Sequence, residues 1–236
     1  MPAFQIVSDL HLEMPNKSYN VFDISPAAPN LALLGDIGLV SHKDELQEFI
    51  LRHLLKFRTV FYLLGNHEAY HSTWSSAGKF LQDTRDLVEQ KRQAGEQLGE
   101  FIPLNLDRYD FERRQLQMKL NDFHVIGDQW TPDKHSEAHD IDLAWLNEQV
   151  ASLRGSGSKI VIFTHHSPTT DPRANDPRHD PPSVVSCRPV GIGHTHFNCN
   201  YVDLTKAGAR KRIYTNQRGY CFSQSSGYDQ ERVIQI

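Results

Sequence analysis

The sequence predicts an α/β protein built on a largely parallel sheet. Two observations predict it. Short apolar runs of strand length recur along the chain, and segments of helical period separate the early ones. A third observation says where a site would form: each early run stops at a small cluster of Asp, Asn, Gly and His.

The runs come first. Residues 4–8 end in Asp9, residues 31–34 in Gly35-Asp36, and residues 60–64 in Gly65-Asn66-His67. Residues 160–164 end in His165-His166, and residues 190–192 lead into Gly193-His194. Nearly continuous apolar runs of this length suit strands buried on both faces, as in a sheet covered by helices. Between them, 43–57 places Leu46, Phe49, Ile50, Leu54 and Phe57 on one stripe, with Asp44 and Glu45 in its first turn. Segment 74–98 is long and polar, with Phe80, Leu81, Leu87 and Val88 as its apolar side. Segment 141–153 carries Leu143, Leu146, Val150 and Leu153, with Asp140 as N-cap. Residues 123–126, 213–215 and 233–236 read as additional strands. Six prolines in 167–189 rule out a helix or central strand there, and a long loop beside the site is expected.

Length and composition bound the rest. A chain of 236 residues fits a single domain spanning 1–236 with a sizeable core. Cys187, Cys199 and Cys221 are odd in number and lack CxxC spacing, so a reducing, cytoplasmic setting is expected. No apolar run is long enough to cross a membrane, and the first residues have no leader pattern. A formal charge of −4 gives no global field for nucleic acid. The clusters Arg113-Arg114 with Lys119, and Lys206 with Arg210-Lys211-Arg212, read as solvated faces.

Thirteen histidines is the unusual count. The carboxyl ends of parallel strands gather on one edge of a sheet, where α/β proteins build sites. That edge would collect Asp9, His11, Asp36, Asn66, His67, His165, His194 and His196. Carboxylate, imidazole and amide oxygen make a mixed O/N set that suits Mn, Fe or Zn. The set is too large for one ion. It suffices for two divalent ions sharing a carboxylate, with one histidine left for catalysis.

The ordered pieces Asp9-x-His11, Gly35-Asp36, Gly65-Asn66-His67-Glu68, His165 and Gly193-His194-Thr195-His196 resemble the calcineurin-like metallophosphoesterase superfamily over most of the chain. The opening SDLHLE and the late Asn216-Gln217-Arg218-Gly219-Tyr220 look like a soluble, single-domain branch. The resemblance implies a four-layer α/β/β/α sandwich around a dinuclear centre. It assigns Asp9, His11, Asp36 and His196 to one ion. Asp36 bridges, and Asn66, His165 and His194 complete the second. His67 matches the catalytic histidine, with Asn66 and Asp36 beside it in the reaction. His166 follows the same strand end as His165 and stands as its alternative. Glu68 replaces the commoner Asp at a position that holds no metal in the family.

The expected reaction is hydrolysis of a phosphodiester or phosphomonoester. Two cations about 3.5–4 Å apart would clamp the phosphate and acidify the attacking water. His67 would serve as general acid. The expected substrate is a small or nucleotide-like phosphoester. A nuclease, a protein phosphatase and a non-catalytic scaffold are the alternatives. Arg173, Arg178, His179 and Arg218 are candidate phosphate contacts. Tyr70, His71 and Trp74 are candidate borders of the pocket. His124, His135 and His139 read as structural or exposed. Oligomeric state is open.

Overall fold

The structure, a computed structural model, describes residues 2–14, 17–104, 122–127, 129–166, 171–176, 194–204 and 210–236. In chain order the elements are β1 Ala3–Val7, β2 Asn30–Leu34, α1 Lys43–Leu54, β3 Thr59–Leu63, α2 Trp74–Gln93, β4 Glu100–Pro103, α3 Asp122–Val125 and α4 Pro132–Ser152. Then follow β5 Asn200–Leu204, β6 Arg210–Tyr214, β7 Gly219–Tyr220, β8 Ser223–Gln224 and β9 Val233–Gln235. The α/β class expected from the alternation is the one observed.

The main sheet has the order β4-β3-β2-β1-β9. β1 to β4 pair in parallel, and β9 closes the edge antiparallel to β1. Because strand side chains alternate, one face carries Val7, Leu31, Leu33, Val60 and Tyr62. Onto it pack Leu46, Phe49, Ile50 and Leu54 of α1 and Ala77, Phe80, Leu81 and Val88 of α2. The other face carries Phe4, Ile6, Ala32, Leu34 and Leu63, and there Tyr214 of β6 and Phe163 join the core. Each large apolar side chain so buried contributes about 1.5–3 kcal/mol. The β5–β6 ribbon thus lies on the opposite side of the main sheet from α1 and α2, the layer order a sandwich requires.

Three expectations need correction. Residues 160–164 form no strand; Ile160, Val161 and Ile162 are exposed, and only the end of the run, Phe163, enters the core. An apolar run becomes a strand only where a neighbouring edge accepts its hydrogen bonds, and no ladder partner for 160–164 exists among the described residues. Residues 123–125 lie in the short helix α3 rather than a strand, and Ile126 follows it in an isolated bridge to Tyr70. Ile126 clusters with Ala69 and Trp130, and Phe123 packs against that cluster. Helix α4 begins nine residues early, with Thr131 as N-cap accepting from Lys134 N and Pro132 in the first turn. Asp140 therefore lies inside the helix. None of the residues of α4 is fully buried, and Trp145 is 43% exposed, so its apolar spacing gave little packing.

The proposed strand 190–192, Cys187, and the basic cluster at 113–119 lie outside the described residues, as do Lys206, Arg178 and His179. Within the Pro-rich stretch, 171–176 contains a single turn, Pro172–Ala174, capped by Asp171 accepting from Arg173 N at 2.9 Å. Among the described residues no helix is long and apolar enough to cross a membrane.

Candidate metal centre

The loops after β1, β2 and β3 reach the same edge of the sheet and are knitted together by main-chain bonds. Asp9 N donates to Gly35 O (3.0 Å), His11 N to Asp36 O (2.9 Å) and Leu12 N to Ile37 O (3.0 Å). Asp9, His11, Asp36 and Asn66 are each at most 2% exposed. Gly35 and Gly65 permit this crowding. A Cβ on Gly35 would sit 2.3 Å from His165 Nδ1, and one on Gly65 2.3 Å from Asp36 Oδ1. No other residue type fits between those ligands.

Eight non-glycine residues among those described hold a positive φ, and five are site candidates: Asp9 (55°), His11 (46°), Asp36 (54°), His194 (64°) and His196 (50°). An L-residue in that region costs of order 1–3 kcal/mol and persists only where its surroundings hold it. Five of the eight positive-φ residues thus gather on the edge where the candidate donors stand.

The donors converge. Asp9 with His11 and His196, Asp9 with Asp36 and His165, and His11 with Asp36 and His67 each bring one ligand atom apiece within 4.8 Å of the others. A fourth such group is His165, His166 and His194. His165 Nδ1 donates to Leu34 O (2.9 Å), which leaves its Nε2 lone pair facing Asn66 Oδ1 (3.2 Å) and Asp36 Oδ1 (3.4 Å). His194 Nδ1 meets the same Asn66 Oδ1 at 3.0 Å, and its backbone N–H donates to Asp9 Oδ1 at 2.7 Å. His11 Nε2 and His196 Nε2 face each other at 3.1 Å. His11 gives its other nitrogen to Glu13, so a lone pair is aimed at the space a cation would take. The donor set fits divalent metal: buried, oxygen-and-nitrogen, and arranged with acceptors pointing at acceptors.

His166 lies among imidazoles, with ring centroids 5.1 Å from His165 and His194 and 5.6 Å from His135. Burial and its histidine neighbours hold its pKa well below the usual value. Of the two histidines, His165 makes the contacts to Asp36 and Asn66.

Three carboxylates support these donors, and sequence reasoning missed all three. Glu68, fully buried, accepts from Asp36 N (3.0 Å), Ile37 N (2.9 Å), Gly65 N (2.8 Å) and Tyr62 Oη (3.0 Å). It staples the β2 loop to the β3 loop and so places Asp36 and Asn66. An Asp would stop one methylene short of those four donors, so the Glu of this chain is not a neutral replacement. Glu13 Oε1 accepts from Nδ1 of both His67 (3.0 Å) and His11 (3.3 Å). Asp122 Oδ1 accepts from Asn66 Nδ2 at 2.8 Å and from Tyr70 Oη at 2.5 Å. Asn66 is thereby turned so that its oxygen faces the histidines. Glu13, two residues after His11, carried a signal in its spacing. Asp122 carried none.

The charges respond to this packing. Burial alone would raise the Asp36 carboxyl; His165, His67 and His11 outweigh it and hold it well below the carboxylate range. Asp9 is likewise lowered despite burial, by His196 and His165. Burial works against the charged form of His165, yet Asp36 and Asp9 raise it to about 10. His67 is raised to about 9 against its burial, by Asp36 and Glu13. Glu13 is lowered by its two histidines, against burial.

Other candidates fall elsewhere. Arg173 is engaged with Asp171 (2.5 Å) and lies over the Tyr201 ring at 4.2 Å. Arg218 donates to Leu10 O (3.0 Å) and covers Phe22, so it pins the loop between Asp9 and His11 instead of reaching for phosphate. Tyr70 does border the site, stacked on His67 at 4.3 Å. Trp74 packs on Trp130, and His71 N donates to Val125 O.

Comparison with known proteins agrees with this geometry. A solved structure of a phosphopantetheinyl hydrolase from Mycobacterium tuberculosis is similar in fold, with a TM-score of 0.51 and 15% identity over 93% of this chain and 90% of that one. No curated protein matches the sequence. The model of the calcineurin-like phosphoesterase family matches residues 4–198, a span that takes in every donor named above. With the first three motifs following β1, β2 and β3 and the donors gathered on one edge, the chain belongs to the calcineurin-like phosphoesterase family.

Proposed function

We propose that this protein hydrolyses a small phosphomonoester or phosphodiester with the help of two divalent cations drawn from Mn, Fe and Zn. Asp9, His11, Asp36 and His196 would hold one cation. Asp36, Asn66, His165 and His194 would hold the other. One observation supports the two-cation reading: Asp36 turns Oδ1 towards His165 Nε2 (3.4 Å) and Oδ2 towards His11 Nε2 (4.0 Å), one donor from each proposed set. A carboxylate with donors on both sides is what a shared ligand requires. Bound cations would supply positive charge to the phosphate oxygens and an acidified water.

The remaining tasks fall to this chain's own residues. His67 is held by Glu13 at Nδ1 and by the Tyr70 ring at its face, which leaves Nε2 to deliver a proton to the leaving oxygen. Its backbone N–H donates to Asp36 Oδ1 at 2.9 Å, so the acid and the shared carboxylate move as one unit. Asn66 contributes a neutral oxygen whose direction is set by Asp122.

Purified protein reconstituted separately with Mn²⁺, Fe²⁺ and Zn²⁺ should hydrolyse bis-(p-nitrophenyl) phosphate or p-nitrophenyl phosphate. Chelation should remove the activity. A broad phosphoester panel on which wild-type protein gives no rate above His67→Ala would overturn the enzymatic reading. Activity that survives chelation, in protein without bound divalent ions, would overturn the two-cation reading.

A further inference from the structure

Beside the donors stands an aromatic wall that none of the assignments above uses. Phe222 is 75% exposed, in the turn of the hairpin formed by β7 and β8. Its ring lies parallel to Tyr220, at 5.3 Å between centroids and 4° between planes. Tyr220 in turn stacks on His11 (4.3 Å, 30°) and stands edge-on to His196 (4.8 Å). Its ring is also 6.3 Å from that of His67. Three rings therefore form one stack that runs from a metal-ligand candidate out to solvent. The separations are those of favourable offset stacking.

The hairpin is firmly anchored. Arg218 N donates to Ser8 O (3.0 Å), Ser225 N to Arg218 O (2.8 Å), and Gln217 bridges Ser8. Gly219, at φ 76°, gives the chain its turn, and a Cβ there would meet Ser225 Oγ at 2.8 Å. A phenylalanine left open to water is unfavourable for folding. One held in place by its own hairpin, beside the candidate metal centre, presents a π-face fixed in advance.

Building on the phosphoester reading, we propose that the Tyr220–Phe222 wall receives a planar aromatic ring carried by the substrate, so that the preferred substrates are nucleoside or aryl phosphoesters. A phosphate held by cations at the donors would leave the alcohol portion of the ester on the solvent side, where the exposed end of the stack stands. A rigid exposed ring holds such a group by stacking without reading its sequence of polar atoms. The wall sets which ester is chosen, while the donors and His67 carry out the hydrolysis.

The test uses matched pairs. Adenosine 5′-monophosphate is compared with ribose 5-phosphate, and benzyl phosphate with cyclohexylmethyl phosphate. The methyl diesters of the same alcohols are used if the protein proves to be a diesterase. The quantity read is the ratio of kcat/KM within each pair, for wild type, Phe222→Ala and Phe222→Trp loaded with Mn²⁺. A ratio within one variant cancels differences in folded or metal-loaded fraction. Phe222→Ala should lower the ratio by about tenfold, mostly through KM, and Phe222→Trp should restore it. A loss in the adenosine pair alone identifies the ring as a nucleobase, and a loss in both pairs identifies any aryl group. A ratio unchanged by Phe222→Ala in both pairs overturns the proposal while leaving the phosphoester reading intact. Absence of turnover of all four compounds by wild-type protein with every metal overturns both.

Discussion

The two halves of the candidate metal centre are built by different means. Donors from the first 70 residues follow buried parallel strands, and their loops are joined by backbone bonds and by Glu68. Donors from the later part reach the site mainly through contacts to the first set. His194 rests on Asp9 and Asn66, His196 faces His11 and Asp9, and His165 donates to Leu34 O. Exposure follows the division only in part: Asp9 is fully buried and the His196 side chain is 21% exposed, but His165 is buried like the first set. The first half is a frame held by the chain's own backbone bonds and by Glu68. The second half is completed by what the frame presents, so bound metal should add most to its order.

The sharpest way to break this comparison is to remove one donor from each half. Asp36→Ala takes away the carboxylate that the proposal shares between the two cations. Activity should fall by on the order of 10³-fold or more, the equivalent of several kcal/mol, and metal analysis should show both cations lost. His194→Ala should leave about one cation bound. In the absence of metal it should unfold within about 0.5 kcal/mol of wild type, because it is attached to the frame and does not form it. If His194→Ala instead lowered the metal-free stability as much as Asp36→Ala does, the division into frame and attachment would be wrong. His67→Ala should keep both cations and lower kcat by about 10²–10³-fold. Metal loss in that variant would move His67 from acid to ligand.

The same division explains what could be read in the sequence. β1, β2 and β3 were legible because a strand buried on both faces must be apolar throughout, and its end is where polarity returns. Asp9, Asp36 and Asn66 therefore announced themselves by position as well as type. Run 160–164 has the same appearance, yet it is exposed and unpaired among the described residues, since composition says nothing about whether a neighbouring edge is available. α4 misled for a related reason: its apolar spacing fits a packed helix, and no residue of it is fully buried. The three supporting carboxylates were hidden for another reason. Glu13, Glu68 and Asp122 also act through hydrogen bonds to partners up to 56 residues away, and no local pattern encodes those distant partners. The five strained backbones could not be seen either, because Asp and His at positive φ look like any other Asp and His.

Glu13 tests how tightly the frame binds acid to ligand. Its Oε1 serves His67 and His11 together, and its side chain is 8% exposed. Glu13→Gln keeps the length but weakens the acceptor and brings a donor toward two imidazole N–H groups. Activity should fall by about 10–100-fold, the usual cost of losing a group that orients a ligand or acid. The loss should appear in kcat and grow with poorer leaving groups, because those depend most on a delivered proton. A uniform rise in KM with leaving-group sensitivity unchanged would reduce Glu13 to a packing residue.

The last prediction tests whether the frame governs global stability. His53, fully buried in α1, donates from Nδ1 to Phe49 O (2.7 Å) and accepts at Nε2 from Ile24 N (3.0 Å). It is thereby neutral, and burial lowers its pKa to about 4. In the unfolded chain the imidazole titrates near 6.5. Between those values the unfolded state binds the extra proton, so stability falls as pH drops from about 6.5 towards 4 and is fully present above that window. Up to about 3 kcal/mol depends on this one group. Chemical denaturation of metal-free protein at pH 7.5 and pH 4.5 should show the loss, and His53→Gln should flatten the difference between them. His53 lies at the far end of α1 from the donors and touches only the frame. If unfolding is governed by the frame, its titration moves the global midpoint. If the later half came apart first and set the measured stability, the midpoint would ignore His53, and the two-part description of the molecule would have to be reversed.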